Sequence, residues 1–206
     1  PLMNNNWAQI TMGLIEQDPS RSVYIYSNAT ICPKDNHLEM FEGKNLHFYL
    51  TDYGDLSRNM DRVIASLKKH NIGFYRKPAG NWVDCSGIKQ HNRSIPELKQ
   101  VFKECCATEL YTLLDGKLYT CPFIANAANL NAIPDIKSNY VDLFEGGDLK
   151  NKIRRLVKMN NFFPACDFCD GRPHDPANAK VYAGNGLIKA GKQLPRNEEL
   201  PFVKFK

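Results

Sequence analysis

No stretch of this 206-residue chain approaches the roughly 20 consecutive apolar residues that a membrane-crossing helix needs. The amino terminus has neither a basic lead nor an apolar core, so no secretory signal is predicted and the expected compartment is the cytoplasm. No internal repeat stands out, which argues against solenoids and propellers. The net charge is +5, yet the lysines and arginines are scattered and no basic stripe interleaves with aromatics, which argues against a nucleic-acid partner. The densest group, Lys150 to Lys158, has the spacing of the wet face of a helix. Seven cysteines, an odd number in uneven groups and without a secretory signal, argue against a disulfide framework and for metal binding in a reducing compartment. The first residue is Pro1 rather than methionine, which implies a processed terminus or a piece of a longer protein.

What is present is a late group of cysteines: Cys105, Cys106, Cys121, Cys166 and Cys169. The first two precede Thr112-Leu-Leu-Asp-Gly-Lys-Leu-Tyr-Thr-Cys121, a predicted hairpin whose Asp115-Gly116 turn sends the chain back so that Cys121 can sit beside Cys105 or Cys106. Ala165-Cys-Asp-Phe-Cys169 then brings two more thiols within one turn. Four thiolates suit either a tetrahedral zinc or an iron-sulfur cluster, and spacing does not choose between them. Cys105 and Cys106 are adjacent, so at a helix end their side chains leave about 100° apart and only one is expected to ligate. Phe102 lies three residues before Cys105, which could bury it as a spectator, whereas the Phe-x-x-Cys approach to the hairpin favours it as the ligand.

Periodicity predicts an α/β fold for the first part of the chain. Trp7, Ile10, Leu14 and Ile15 recur at helical spacing over Asn6 to Gln17. Val23-Tyr-Ile-Tyr26, Asn45-Leu-His-Phe-Tyr-Leu50 and Ile72-Gly-Phe-Tyr75 are short apolar runs, and the first two resemble parallel strands buried on both faces. A helix over Leu56 to His70 lies between the second and third, giving the rhythm of β-α units. Ligands in such sheets bind beyond the strands' carboxyl ends, which singles out Asn28, Asp52 and Tyr53; the plainer expectation is that Asn28 caps a turn and Asp52 a helix. A capping box, Ser94-Ile-Pro-Glu97, opens another helix that carries Leu98, Val101, Phe102 and Cys105, and a further amphipathic helix is predicted over Asp148 to Lys158. The stretch from Pro122 to Gly147 is expected to be irregular, and the tail after Arg172 to be loops with a frayed end.

Several of these residues resemble the radical SAM enzymes. Pro1-Leu-Met-Asn is similar to the residues after the Gly-Gly-Glu of that family's glycine-rich motif, and Cys105, Gly116 and Cys121 fall at the spacing of its SPASM/twitch extension. Asp115-Gly-Lys-Leu-Tyr-Thr-Cys-Pro122 and Ala165-Cys-Asp-Phe-Cys-Asp-Gly-Arg172 extend the likeness. The resemblance implies an α/β architecture: the carboxy-terminal part of a partial (β/α) barrel over 1–92, then a small irregular α+β cysteine-rich iron-sulfur domain over 93–206. No further cysteine follows Cys169, as in the one-cluster, twitch-like version. The family's catalytic cluster loop, three cysteines spaced by three and then two residues, does not occur in this chain, so alone it is not expected to cleave SAM.

By the same resemblance, the missing cluster would reduce S-adenosylmethionine to a deoxyadenosyl radical that takes hydrogen from a substrate. Pro1, Asn28 and Asp52 are the implied SAM-binding positions. Cys121, Cys166, Cys169 and one of Cys105 or Cys106 would hold an auxiliary 4Fe-4S cluster. An electron donor such as flavodoxin or ferredoxin is implied, and family substrates are peptides, sugars or cell-surface polymer precursors. The alternative from another class is a structural zinc module with four cysteines on an α/β binding platform. Cys32 and Cys85 each stand alone and are expected to be small buried hydrophobes. Trp82 and Asp84 could line a substrate opening or, for the tryptophan, join the core; His174 could be a replacement ligand or outer donor, and Arg172 could counter a cluster's negative charge, though both also suit solvated surface positions.

Overall fold

Alternation of Ile25, Leu46, Phe48 and Leu50 with tyrosine and histidine organises the first sheet. The computed structural model describes residues 1–83, 87–159, 161–171 and 187–189, a mixed α/β chain dividing into two compact units at Asn81 and Trp82. In the first, α1 (Trp7–Gln17), β1 (Val23–Ser27), α2 (Asp35–Glu39), β2 (Leu46–Asp52), a 3-10 turn at Gly54–Leu56, α3 (Met60–Lys69) and β3 (Gly73–Pro78) follow in order. The strands are parallel in the order β1-β2-β3, with Ile25 level with Phe48 and Phe48 with Phe74. Ile25, Leu46, Phe48 and Leu50 are buried with Leu38, Phe41, Val63 and Leu67. The Trp7 indole stacks on Phe41 at 5.7 Å and meets Phe48 edge-on at 6.4 Å; such ring pairs each add about 0.5–1.5 kcal/mol beyond the area they bury.

The other face of this sheet is open, which corrects the expectation of strands buried on both sides. Tyr26, Tyr49 and Tyr75 form a row across the three strands, with ring centroids 4.9 and 5.1 Å apart. Tyr24 stacks on His47 at 5.3 Å, and the Lys77 ammonium lies 5.1 Å above the Tyr49 ring. Tyr24, Tyr26 and Tyr75 keep more than half of their surface in solvent. Tyrosine counts as apolar in the sequence pattern, whereas its ring and hydroxyl suit a wet face. On α1 the buried positions are Trp7, Ala8, Thr11 and Ile15, while Ile10 and Leu14, expected on the apolar face, are exposed. Among the described residues no barrel is closed, and β1 and β3 are both sheet edges.

The second unit is built on an antiparallel sheet. Its elements are α4 (Ile95–Glu104), β5 (Thr112–Leu114), β6 (Lys117–Tyr119), α5 (Pro122–Asn129), β7 (Tyr140–Asp142), α6 (Leu149–Lys158) and a 3-10 helix at Pro164–Phe168. Near the division between the units, β4 (Asn81–Val83) pairs with β8 (Leu187–Lys189). The two-residue turn of the β5–β6 hairpin has positive φ at both Asp115 (47°) and Gly116 (72°), the twist that matches flanking strands. Glycine suits the positive φ of the second position, where a Cβ would also displace the exposed Phe144 ring. The region expected to be irregular after Pro122 holds two regular elements, α5 and the third strand β7, which pairs with β6. Tyr119, Ile124, Tyr140, Val141, Leu156, Phe163 and Phe168 form the core of this unit. No helix among the described residues is long and apolar enough to cross a membrane.

Two parallel edges left unpaired among the described residues, beside an aromatic face, are a template for self-pairing. The isolated 206-residue chain is therefore expected to dimerise or aggregate with rising concentration in light scattering; a monodisperse monomer at all concentrations would show the edges to be covered.

Candidate functional site

The second unit collects four thiols from three stretches of chain. Cys105 is the C-cap of α4, placed by the helix that Ser94 opens: the Ser94 backbone N–H and hydroxyl both donate to the Glu97 carboxylate, at 2.7 and 2.6 Å. Cys121 follows the hairpin and is the N-cap of α5; its Sγ accepts the Ile124 N–H at 3.4 Å, one of the donors a helix start leaves without an internal partner. Cys166 and Cys169 sit in and just after the 3-10 helix. Asn139, itself buried, accepts the Ala165 N–H at 3.3 Å and ties that helix to the loop before β7.

Every one of these sulfurs accepts a backbone N–H. Ala107 donates to Cys105 Sγ at 3.3 Å, Phe163 to Cys166 Sγ at 3.4 Å and Gly171 to Cys169 Sγ at 3.4 Å. Gly171 itself has a positive φ of 93°, which glycine adopts without strain and which redirects the chain after the bond. Such donors are what a thiolate needs when water is excluded, and they tune any metal it binds. Burial pushes the Cys166 and Cys169 thiols up to about 12; the N–H bonds pull the other way, and Cys105 and Cys121 raise both further through their charge. The four sulfurs are not gathered into a coordination shell: among the described residues no three His, Cys, Asp or Glu side chains stand close enough to hold a metal ion. The thiols and their N–H donors are of the type a thiolate-bound centre uses, but as placed they do not form a site for one.

Cys106, left open against Cys105, is exposed, while Cys105 is half-buried and acts electrostatically on both Cys166 and Cys169. Cys32 packs against the core of the first unit with its Sγ 4.0 Å from the Ser66 hydroxyl. Asp84, Cys85, Arg172, His174 and the side chain of Trp82 lie outside the described residues.

A second arrangement lies at the carboxyl ends of β1 and β2, where Pro1, Tyr26, Ser27, Asn28, Thr30, Thr51 and Tyr53 border a cleft of about 410 Å³. Pro1 and Asn28 are thereby brought together. Asp52 turns to Arg76 instead, accepting from Nε at 3.0 Å and Nη2 at 2.5 Å, and the arginine's hydrogen bonds hold its carboxyl below the usual range. The plainer expectations for both residues also hold: Asn28 Oδ1 accepts the Thr30 N–H at 3.2 Å, and Asp52 Oδ1 accepts the Gly54 N–H at 2.9 Å at the start of a 3-10 turn.

Residues 88–93 run against the Cys166–Cys169 loop, a contact the sequence did not suggest. Ile88 bridges Cys169, the Lys89 N–H donates to Phe168 O at 3.1 Å and the His91 N–H to Asp167 O at 3.0 Å. His91 Nε2 lies 3.1 Å from Asp170 Oδ1; burial holds the imidazole pKa below its ordinary value, and Arg93 adds to that while Asp170 opposes it. These contacts explain why the unit boundary falls at Asn81 rather than at residue 92. No protein-family model matches this chain, and no curated protein or solved structure matches it.

The thiol geometry has two expected outcomes. Cys105→Ser is expected to abolish metal uptake and Cys106→Ser to leave it unchanged; the reverse pattern in metal analysis would exchange their roles. Because the folded pKa of Cys166 and Cys169 stands above the ordinary thiol value of 9.0, the metal-free fold holds those protons longer than the unfolded chain. That contribution is full below about pH 9 and is lost as pH rises toward about 12. Thermal melts across this window are expected to show an alkaline loss that shrinks in the Cys166→Ala, Cys169→Ala double variant, and an unchanged slope would assign the loss elsewhere.

Proposed function

We propose that the chain is the carboxy-terminal portion of a radical SAM enzyme, carrying part of its β/α barrel, in which Cys105, Cys121, Cys166 and Cys169 hold an auxiliary 4Fe-4S cluster. The observation that supports this reading is that four thiols of one unit each accept a backbone N–H. An ordinary buried cysteine needs no such donor, whereas a sulfur that must carry charge does. When bound, such a cluster supplies a one-electron centre or a soft Lewis acid for substrate.

The protein's own part is placement. The hairpin fixes Cys121, α4 fixes Cys105, and the 3-10 helix fixes the remaining pair with its N–H donors. In the first unit, the cleft with Pro1 and Asn28 at the strand ends is the position for S-adenosylmethionine, in keeping with the rule that open parallel sheets bind ligands there. The cluster that reduces SAM would come from a segment carrying the three-cysteine loop, with flavodoxin or ferredoxin as electron donor. The substrate belongs to the peptides, sugars or cell-surface polymer precursors of the family.

The same four thiols suit a structural zinc equally well in donor type, which makes a non-redox platform the competing reading. Anaerobic reconstitution followed by metal and acid-labile sulfide analysis separates the two. About four iron and four sulfide per chain, lost in Cys121→Ala, is the expected result; about one zinc without sulfide would replace the cluster with a structural ion.

A further inference from the structure

We propose that the groove bordered by α4 and α6 binds an acidic, amphipathic peptide segment of another protein, a role that involves none of the cysteines. Two adjoining clefts of the second unit, of about 1140 and 900 Å³, share Lys158 and Met159. Lys99 and Lys103 of α4 line the first, and Arg154 and Arg155 of α6 line the second. Cations that lie apart in the sequence are thereby gathered along one groove. All five are exposed, and among the described residues none of them makes an ion pair, whereas Lys152 on α6 pairs with Glu145. Lys99 and Lys103 stand one helical turn apart, as do Arg154 and Lys158, and like charges at that spacing weaken a helix. The helix dipole accounts for cations in the last turn, which are Lys103, Arg155 and Lys158. Lys99 and Arg154 precede it, so an anion laid along the groove supplies what the fold does not.

The floor decides which anion fits. Phe102, Tyr111, Val157 and Met159 line the first cleft, and the last three keep 38, 45 and 39% of their surface in solvent. The Tyr111 hydroxyl donates to the Val157 carbonyl at 3.3 Å, which ties the chain after α4 to the end of α6 and holds the two sides of the groove together. Small-molecule pockets run to about 300–1,000 Å³, so the paired clefts suit a longer occupant. A single nucleic-acid strand needs open ring faces on which its bases stack. Here Phe102 is half-buried and meets Phe163 edge-on at 6.1 Å, and the Tyr111 ring is anchored by its hydroxyl. Valine and methionine instead suit the apolar side chains of a peptide, since methionine adapts its shape to varied partners. Carboxylates flanking those side chains then meet the five cations, whose flexible stems carry the charge out beyond the helix ends. Apolar anchors on the floor and charges along the rims are the pattern of a peptide seated between helices.

The test uses the whole chain and fluorescence anisotropy of a labelled peptide about four helical turns long, with leucine and glutamate at amphipathic spacing. Binding is expected to weaken about tenfold in the Lys99→Glu, Lys103→Glu double variant and severalfold in Met159→Ser. A matched charge reversal on the first unit, Lys34→Glu with Lys44→Glu, and the exposed apolar change Leu14→Ser are expected to leave it unchanged. The same peptide with serine in place of leucine is expected to bind only weakly. Equal losses in the Lys34, Lys44 variant would reduce the effect to net charge and overturn the proposal, as would serine-substituted peptide binding as tightly as the original. Tighter binding of an oligothymidylate of equal charge would transfer the groove to a nucleic acid. Absence of binding to the leucine and glutamate peptide at low salt would remove the peptide reading altogether.

Discussion

Burying several thiols in one small unit is the constraint around which the second unit is built. Desolvation alone holds Cys166 and Cys169 protonated well above neutral pH, and each neighbouring thiol makes ionisation harder still. A chain of this size could avoid the cost by placing alanine or serine there. It places four thiols instead and supplies each with a backbone N–H: from a helix start at Cys121, from tight turns at Cys105 and Cys169, and from Phe163 at Cys166. Hydrogen bonds to charged groups are worth about 1.5–3 kcal/mol, roughly twice a neutral one, so the donors matter chiefly when the sulfurs are thiolates. The antiparallel sheet, α5 and the buried Asn139 are the frame that holds those donors in place.

The first unit obeys a different constraint. Parallel strands are normally covered on both faces, yet here one face carries a tyrosine row in solvent and, among the described residues, both edges are unpaired. Its hydrophobic core is nonetheless complete on the helix side, from Trp7 through Phe41 and Phe48 to Leu67. The cleft at the strand ends shares Tyr26 with this open face.

Much of this is legible in the sequence because the signals are local. The Asp115-Gly116 dipeptide specifies its turn, Ser94 and Glu97 specify a helix start, and helical periodicity locates α1, α3, α4 and α6. The choice between Cys105 and Cys106 is not legible, because it depends on which way the chain leaves α4; in the structure Cys105 is half-buried and Cys106 exposed. Nor can the pattern show Arg93 against the 166–169 loop, since 73 residues separate it from Cys166 and no motif links them. The β7 strand is hidden for a similar reason: three residues with no alternation become a strand only because β6 offers an edge. The wet tyrosine face escapes a reading by residue type, because only the alternation of Tyr24 and Tyr26 with Ile25 carries it.

The most direct measurement is native alkylation of the metal-loaded chain, followed by mass spectrometry of each cysteine before and after the metal is removed. Protection of Cys105, Cys121, Cys166 and Cys169 while loaded, lost together on removal, with Cys106 labelled in both states, is the predicted pattern. Labelling of Cys166 and Cys169 at the same rate with and without metal, or protection of Cys106 in place of Cys105, would contradict a centre built from these four sulfurs.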